Sequence, residues 1–286
     1  MTEILLTAQG LTKRYGAKRA LDHVALNIPK GRIVGLIGPN GAGKTTCLKA
    51  ILGMTPFEGE LQVLGLHPQR QRRRMMEAVS FIADVAVLPR WIRVAQLLEL
   101  VAGLHPRFDR RRCERFLEAT EIDRGARVKS LSKGMIVQLH LALIMAIDAR
   151  LLILDEPTLG LDILYRKRFY SQLLNDYFDG ERTILITTHQ VEEVEHILTD
   201  LLFIQHGKIV LDSTMEALHA HYCELLTGPE NLAAARALEP RAERSLFGRH
   251  VLLYAGVPRE RLAALGEVRT PGIADLFVAL MSDSAP

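Results

Sequence analysis

Short apolar runs alternate with helical-period stretches along most of this chain. Residues 4–8 read as a short strand, 24–28 as another, and 32–37 (RIVGLI) as a third that is apolar almost throughout. A glycine-rich turn follows, and then a helical pattern over about 43–52. Further short strands are expected at 60–63 and 79–82, with a basic helical stretch over 70–77 between them. Residues 94–104 and 109–120 have helical spacing and are separated by His105-Pro106, where proline disfavours helix in the residue before it. Residues 135–147 are apolar on nearly every side, which predicts a buried helix. After this come a buried strand at 151–154, a helix at 165–178, a strand at 183–187 and a helix at 191–197. Residues 201–205 and 209–212 read as a hairpin around His206-Gly207. Alternation of this kind predicts a parallel sheet covered by helices and edged by antiparallel strands. Beyond about residue 221 the pattern weakens; only a strand at 250–254 and an amphipathic helix at 273–281 stand out.

Composition narrows the picture. The chain has 286 residues, 48% hydrophobic and 24% charged, which supports a folded core and excludes a disordered chain. Lys and Arg number 36 against 33 Asp and Glu, too even a balance for a dedicated nucleic-acid binder. The arginines at 70 and 72–74 and at 110–112 read as solvated helix faces, with nucleic acid or anionic lipid as the alternatives. The three cysteines form no CxxC pair, which suits a reducing cytosol. Cys47 follows the glycine-rich turn and is expected to be a buried thiol. The first residues lack a secretory pattern, and no apolar run approaches the roughly 20 residues that span a bilayer.

Two stretches carry chemistry. Gly38-Pro39-Asn40-Gly41-Ala42-Gly43-Lys44-Thr45 matches G-x-x-x-x-G-K-[ST], with a strand before it and a helix after it. Such glycines let the backbone turn N–H groups toward phosphate, and the helix adds its positive end. Lys44 is expected to reach the β- and γ-phosphates and Thr45 to ligate Mg²⁺. The second stretch, Leu151-Leu152-Ile153-Leu154-Asp155-Glu156, is a buried strand whose carboxyl end carries two acids, where open α/β sheets place their chemistry. Asp155 is the candidate Mg²⁺ ligand and Glu156 the candidate general base acting on water. His189 ends another apolar strand and is placed to meet the γ-phosphate.

With these pieces in order, residues 4–212 resemble the ATP-binding subunit of an ABC transporter, and the C-terminal helix matches more loosely. The most specific element is Leu131-Ser132-Lys133-Gly134-Met135, shortly before LLILDEPTLGLD; it is similar to the family signature, usually LSGGQ. The resemblance implies an α/β P-loop ATPase with an antiparallel β subdomain, a helical subdomain inserted at about 85–150 and an ATPase domain over 1–221. Residues 222–286 are then a small C-terminal extension. It places Tyr15 as the aromatic on adenine, Gly38 to Thr46 as the Walker A loop, and Asp155 and Glu156 at the end of Walker B. Ser132 and Gly134 face the γ-phosphate held by a second subunit, Asp162 is the D-loop acid and His189 the switch histidine. ATP and Mg²⁺ are the implied ligands. The implied assembly is a homodimer with ATP at its interface, peripheral to the cytoplasmic face of the cell membrane and bound to an integral-membrane permease.

Two departures stand out. Asp84 occupies the position where the family has Gln, and is expected to keep a metal-sensing role with altered Mg²⁺ dependence. Lys133 and Met135 replace Gly and Gln in the signature. LSKGM resembles an exporter-type, ABC-2-like branch related to antibiotic and multidrug export. Met75, Met76 and Trp91 lie where the family meets its permease, with core packing as the other reading. The rival classes are a soluble ABC ATPase acting on ribosomes or DNA, and a nucleotide sensor with little turnover. The single P-loop and the lack of long coiled coils weigh against the first. Intact Lys44, Asp155, Glu156 and His189 weigh against the second.

Overall fold

The computed structural model describes residues 3–82 and 88–282. The chain divides into two compact units, one holding residues 1–189 and 202–211, the other 190–201 and 212–286.

The first unit opens on two long strands, β1 (Ile4–Tyr15) and β2 (Lys18–Pro29), which pair antiparallel. With β4 (Glu58–Val63) they form a three-stranded sheet ordered β2-β1-β4. Leu6, Ala8, Leu26 and Val63 are buried in its core. The strands β3 (Ile33–Ile37), β5 (Val79–Ile82), β6 (Leu151–Asp155) and β7 (Thr183–Thr188) belong to a six-stranded sheet. The strands β8 (Asp200–Gln205) and β9 (Lys208–Thr214) complete its order, β5-β6-β7-β3-β8-β9. The pairs β5–β6, β6–β7 and β3–β7 are parallel. Every residue of β3, β6 and β7 is buried, which explains why these strands read as continuous apolar runs rather than alternating ones.

Helix α1 (Lys44–Ile51) leaves the glycine-rich turn, and α2 (Arg72–Met76) precedes β5. Met75 is fully buried in the core, whereas Trp91 is 73% exposed. The helices α3 (Val94–Leu104), α4 (Arg110–Glu118) and α5 (Lys133–Met145) form the helical stretch between β5 and β6. Asp109 caps α4 by accepting the Arg112 N–H, which fixes the helix start just past the His105-Pro106 break. Helix α6 (Ile163–Gln172) runs on into a π-helical turn over Leu173–Tyr177, a longer and less regular element than the single helix expected there. The arginine runs differ internally. The Arg112 guanidinium stacks 5.1 Å from the Tyr177 ring centroid and donates to the Asp176 carbonyl, so it is committed within the fold.

The second unit holds α7 (Val191–Val194), α8 (Met215–His221), α9 (Leu232–Arg236), α10 (Arg259–Ala263) and α11 (Ile273–Ser282). Its four-stranded sheet is built from β10 (Tyr222–Thr227), β11 (Ala242–Leu246), β12 (Arg249–Ala255) and β13 (Glu267–Arg269), in the order β11-β12-β10-β13. All its pairings are antiparallel. Cys223, Leu225, Leu252, Tyr254 and Leu262 make its core, and the Tyr254 hydroxyl donates to the Ala235 carbonyl at 2.8 Å.

Candidate nucleotide site

The glycine-rich turn leaves β3 and enters α1, and its shape is set by what packs behind it. A side chain at Gly38 would bring Cβ to 2.3 Å from the Ile204 carbonyl oxygen. Gly43 has φ +118°, and a Cβ there would lie 2.7 Å from the Ala20 carbonyl oxygen. Only glycine fits either position. The β8–β9 turn closes the back of the loop, where the Gly207 N–H donates to the Ala42 carbonyl at 2.8 Å. No side chain caps α1, so its first backbone N–H groups and its positive end face the open side of the turn.

That open side is a cleft lined by Tyr15, Lys18, Ala20, Pro39, Asn40, Gly41, Gly43, Lys44, Thr45, Thr46, Asp155 and Glu156. The Lys44 ammonium folds back on its own loop, donating to the Gly38 carbonyl at 2.7 Å. Burial pulls its pKa below the ordinary lysine value, and the carboxylates of Glu156 and Asp155 oppose that shift. Tyr15 stands half exposed at the rim, with the Lys13 Nζ 4.9 Å from its ring centroid.

The two acids come off the end of β6 in different environments. Asp155 is buried, its Oδ2 accepting from the Thr45 hydroxyl at 3.3 Å and its Oδ1 from the Thr187 hydroxyl at 2.5 Å. Glu156 has φ +49°, a left-handed conformation uncommon for a non-glycine residue. Its Oε2 lies 2.9 Å from His189 Nδ1 at the end of β7. Glu156 combines a sparsely populated backbone conformation with a side-chain contact to a titratable partner. The site thus joins a cationic, N–H-rich cradle to a carboxylate–imidazole pair.

The metal expectation passes a chemical test. Thr45 and Asp155 offer a hydroxyl and a carboxylate, hard oxygen donors side by side on the cleft. Among the described residues no group of three or more His, Cys, Asp or Glu could hold a metal ion. Mg²⁺ typically binds through one or two carboxylates together with nucleotide phosphates, and this pair suits that mode.

The remaining residues singled out in the sequence stand apart from the cleft. The Ser132 hydroxyl caps α5 by accepting the Met135 N–H at 3.2 Å. Asp162 caps α6, accepting from the N–H groups of Leu164 and Tyr165 at 3.0 and 3.1 Å. Gly134 sits in the first turn of α5. None of these three lines the cleft. Asp84 lies outside the described residues. Cys47 is fully buried, and burial pushes its thiol up to about 12, so the helix start does not activate it. Sequence reasoning missed Lys18, Ala20 and Thr187. Thr187 was visible only as one of three threonines flanking the apolar centre of its strand.

Comparison with known proteins agrees with this geometry. The ABC transporter family profile matches residues 21–159. The Nod factor export ATP-binding protein I of Ralstonia nicotianae is 33% identical over 272 residues, covering 91% of this chain and 84% of that protein. The daunorubicin resistance ATP-binding protein DrrA3 of Streptomyces coeruleorubidus is 31% identical over 280 residues, covering 94% and 88%. Among solved structures, an ATP-binding subunit of an ABC transporter superposes with a TM-score of 0.70 at 24% identity, covering 76% of this chain and 92% of that one. The cbiO1 protein of Clostridium perfringens, part of the ABC transporter complex cbiONQ, gives a TM-score of 0.63 at 21% identity. These last two likenesses speak to the fold. By its full-length relatives and its matched profile, this chain belongs to the family of ABC transporter ATP-binding proteins.

Proposed function

We propose that the chain is the ATP-hydrolysing subunit of an exporter, working as a homodimer against the cytoplasmic face of the cell membrane on a separate integral-membrane permease. The observation that carries this reading is the split between the two motif sets. The P-loop, Asp155 and Glu156 line one cleft, with His189 held against Glu156, whereas Ser132, Gly134 and Asp162 do not line it. A second copy supplying the signature segment completes the site. Export is supported by the relatives, which are named for Nod factor export and daunorubicin resistance. No helix among the described residues is long and apolar enough to cross a membrane, so in this reading the permease does the spanning and exposed Trp91 belongs to the docking surface.

Each residue then has a physical task. Backbone N–H groups at the start of α1 and the Lys44 ammonium bind the β- and γ-phosphates, Lys44 exchanging its loop carbonyls for phosphate oxygens. Tyr15 presents a ring face to adenine. Thr45 and Asp155, together with Asp84, would hold Mg²⁺, which would supply positive charge beside the phosphate oxygens. Glu156 accepts the proton of the attacking water while the Glu156–His189 contact fixes both side chains. Ser132 and Gly134 of the second copy contact the γ-phosphate, and Asp162 lies at the same interface. Nucleotide binding favours the closed pair over the open one, and that differential affinity is what drives the permease.

Glu156→Gln tests the reading. It keeps the size of the side chain and removes the base, so turnover falls by about 10²–10⁴-fold while ATP binding persists. Light scattering should then show an ATP-dependent dimer that does not decay, and a multi-span membrane protein should co-purify with the wild-type chain in mild detergent. Wild-type turnover in the variant removes Glu156 from the role, and no ATP-dependent change in mass removes the dimer.

A further inference from the structure

The parallel register of β6 and β7 sets Asp155 directly against Thr187. Paired residues on parallel neighbours share a face of the sheet, so the two side chains meet. Thr187 is fully buried and Asp155 is 3% exposed. In such surroundings a hydroxyl needs a partner, because an unpaired buried polar group costs on the order of 1–3 kcal/mol. The hydroxyl finds one by donating to Asp155 Oδ1 at 2.5 Å. The other carboxylate oxygen, Oδ2, is thereby turned toward the Thr45 hydroxyl at 3.3 Å. The Thr187 carbonyl also accepts the N–H of Glu156 at 3.1 Å, at the residue whose φ is +49°. One residue of β7 therefore holds both the carboxylate of Asp155 and the backbone from which Glu156 springs.

We infer that Thr187 is a positioning residue for the metal-binding carboxylate: its hydroxyl fixes the plane of Asp155 so that Oδ2 faces the cleft beside Thr45. This rests on the proposed function, since it concerns how Asp155 serves Mg²⁺ there. Loss of this donor removes the short bond to Oδ1 and leaves the plane of the Asp155 carboxylate less tightly set, so Oδ2 is presented to the cleft less precisely. Groups that orient a metal ligand without touching the metal typically change metal affinity by about 10–100-fold when removed.

The test reads metal-dependent binding rather than turnover. The affinity of the full chain for a fluorescent non-hydrolysable ATP analogue is measured with EDTA and with Mg²⁺, and the ratio of the two gives the gain due to the metal. Thr187→Val keeps the shape of the side chain and drops the hydroxyl. It should lower the Mg²⁺-dependent gain by about tenfold or more, with the EDTA affinity unchanged. Thr187→Ser should restore the gain and Thr187→Ala should not; that pair differs only in the hydroxyl and keeps the test alive should the valine variant fail to fold. An unchanged gain in both Thr187→Val and Thr187→Ala overturns the inference. So does an equal loss with EDTA and with Mg²⁺, which would make Thr187 a structural residue only. A wild-type chain whose affinity ignores Mg²⁺ would instead sink the functional reading itself.

Discussion

Helices α1 and α5 both begin at a glycine-containing motif, yet their N-termini are built differently. At α1 no side chain caps the helix, the preceding glycine is forced by contact with the Ala20 carbonyl, and an ammonium and two carboxylates stand close by. At α5 the Ser132 hydroxyl already caps the helix, and an added methyl at Gly134 would meet nothing nearer than the Ser132 Oγ at 4.0 Å. The first is an anion cradle assembled within one chain. The second is a well-formed helix start whose glycine the fold of the chain does not demand. Geometry within one chain accounts for the P-loop glycines, whereas Gly134 needs a reason from outside the chain. The proposed homodimer supplies it.

The largest expected effect lies on the α1 side. His189→Ala leaves the cradle intact and frees the Glu156 carboxylate, so steady-state ATPase activity should fall by on the order of 10–100-fold with nucleotide affinity near the wild-type value. A variant with full turnover would show that the 2.9 Å contact is incidental. The glycines sharpen the contrast next. Gly43→Ala places a Cβ against backbone at φ +118° and should cost about 1–3 kcal/mol in denaturant unfolding. Gly134→Ala, in open space on a right-handed helix, should instead gain about 0.4–1 kcal/mol. Equal costs at the two positions would erase the distinction drawn between them.

The effect that appears only on acidification belongs to α5 itself. His140 has an Nδ1 that is buried without a partner among the described residues, and burial pulls its pKa from 6.5 down to about 4. The folded chain therefore binds this proton less readily than the unfolded chain. The stability linked to His140 is complete above about pH 6.5 and is lost as pH falls toward about 4. His140→Leu should flatten the melting-temperature profile across that window relative to wild type, which isolates this group from carboxylates titrating in the same range. Parallel profiles would mean that His140 is not held neutral.

Much of the site was legible because its chemistry is carried by contiguous residues. Gly38 to Thr45 and Leu151 to Glu156 each bring their own strand and turn, so local spacing places them. The Thr187–Asp155 bond was not legible, because it joins positions 32 apart through strand register, and register is a tertiary property. Strand lengths failed for a related reason. The apolar pattern predicts a short strand at 4–8, but β1 continues to Tyr15 through register shifts after Ala8 that break the alternation. In β2 the positive φ of His23 hides the first half of the strand in the same way. The C-terminal sheet left a fainter trace. Its edge strands β11 and β13 are mostly exposed and polar. Its inner strand β10 carries Glu224, which is buried and paired with Arg244 at 3.1 Å. A charge neutralised by a distant partner looks like a loop residue when only the sequence is read.

In the proposed homodimer the α1 cradle of one copy and the α5 start of another make one ATP site. Complementation measures it. Lys44→Ala disables the cradle and Gly134→Arg blocks the signature segment, so each variant alone should lack ATPase activity. In a head-to-tail pair formed by mixing them, one site carries both lesions and the other carries neither. The mixture should therefore recover ATPase activity that neither variant has alone. A mixture as inactive as its components, with both variants folded and able to associate, would contradict it.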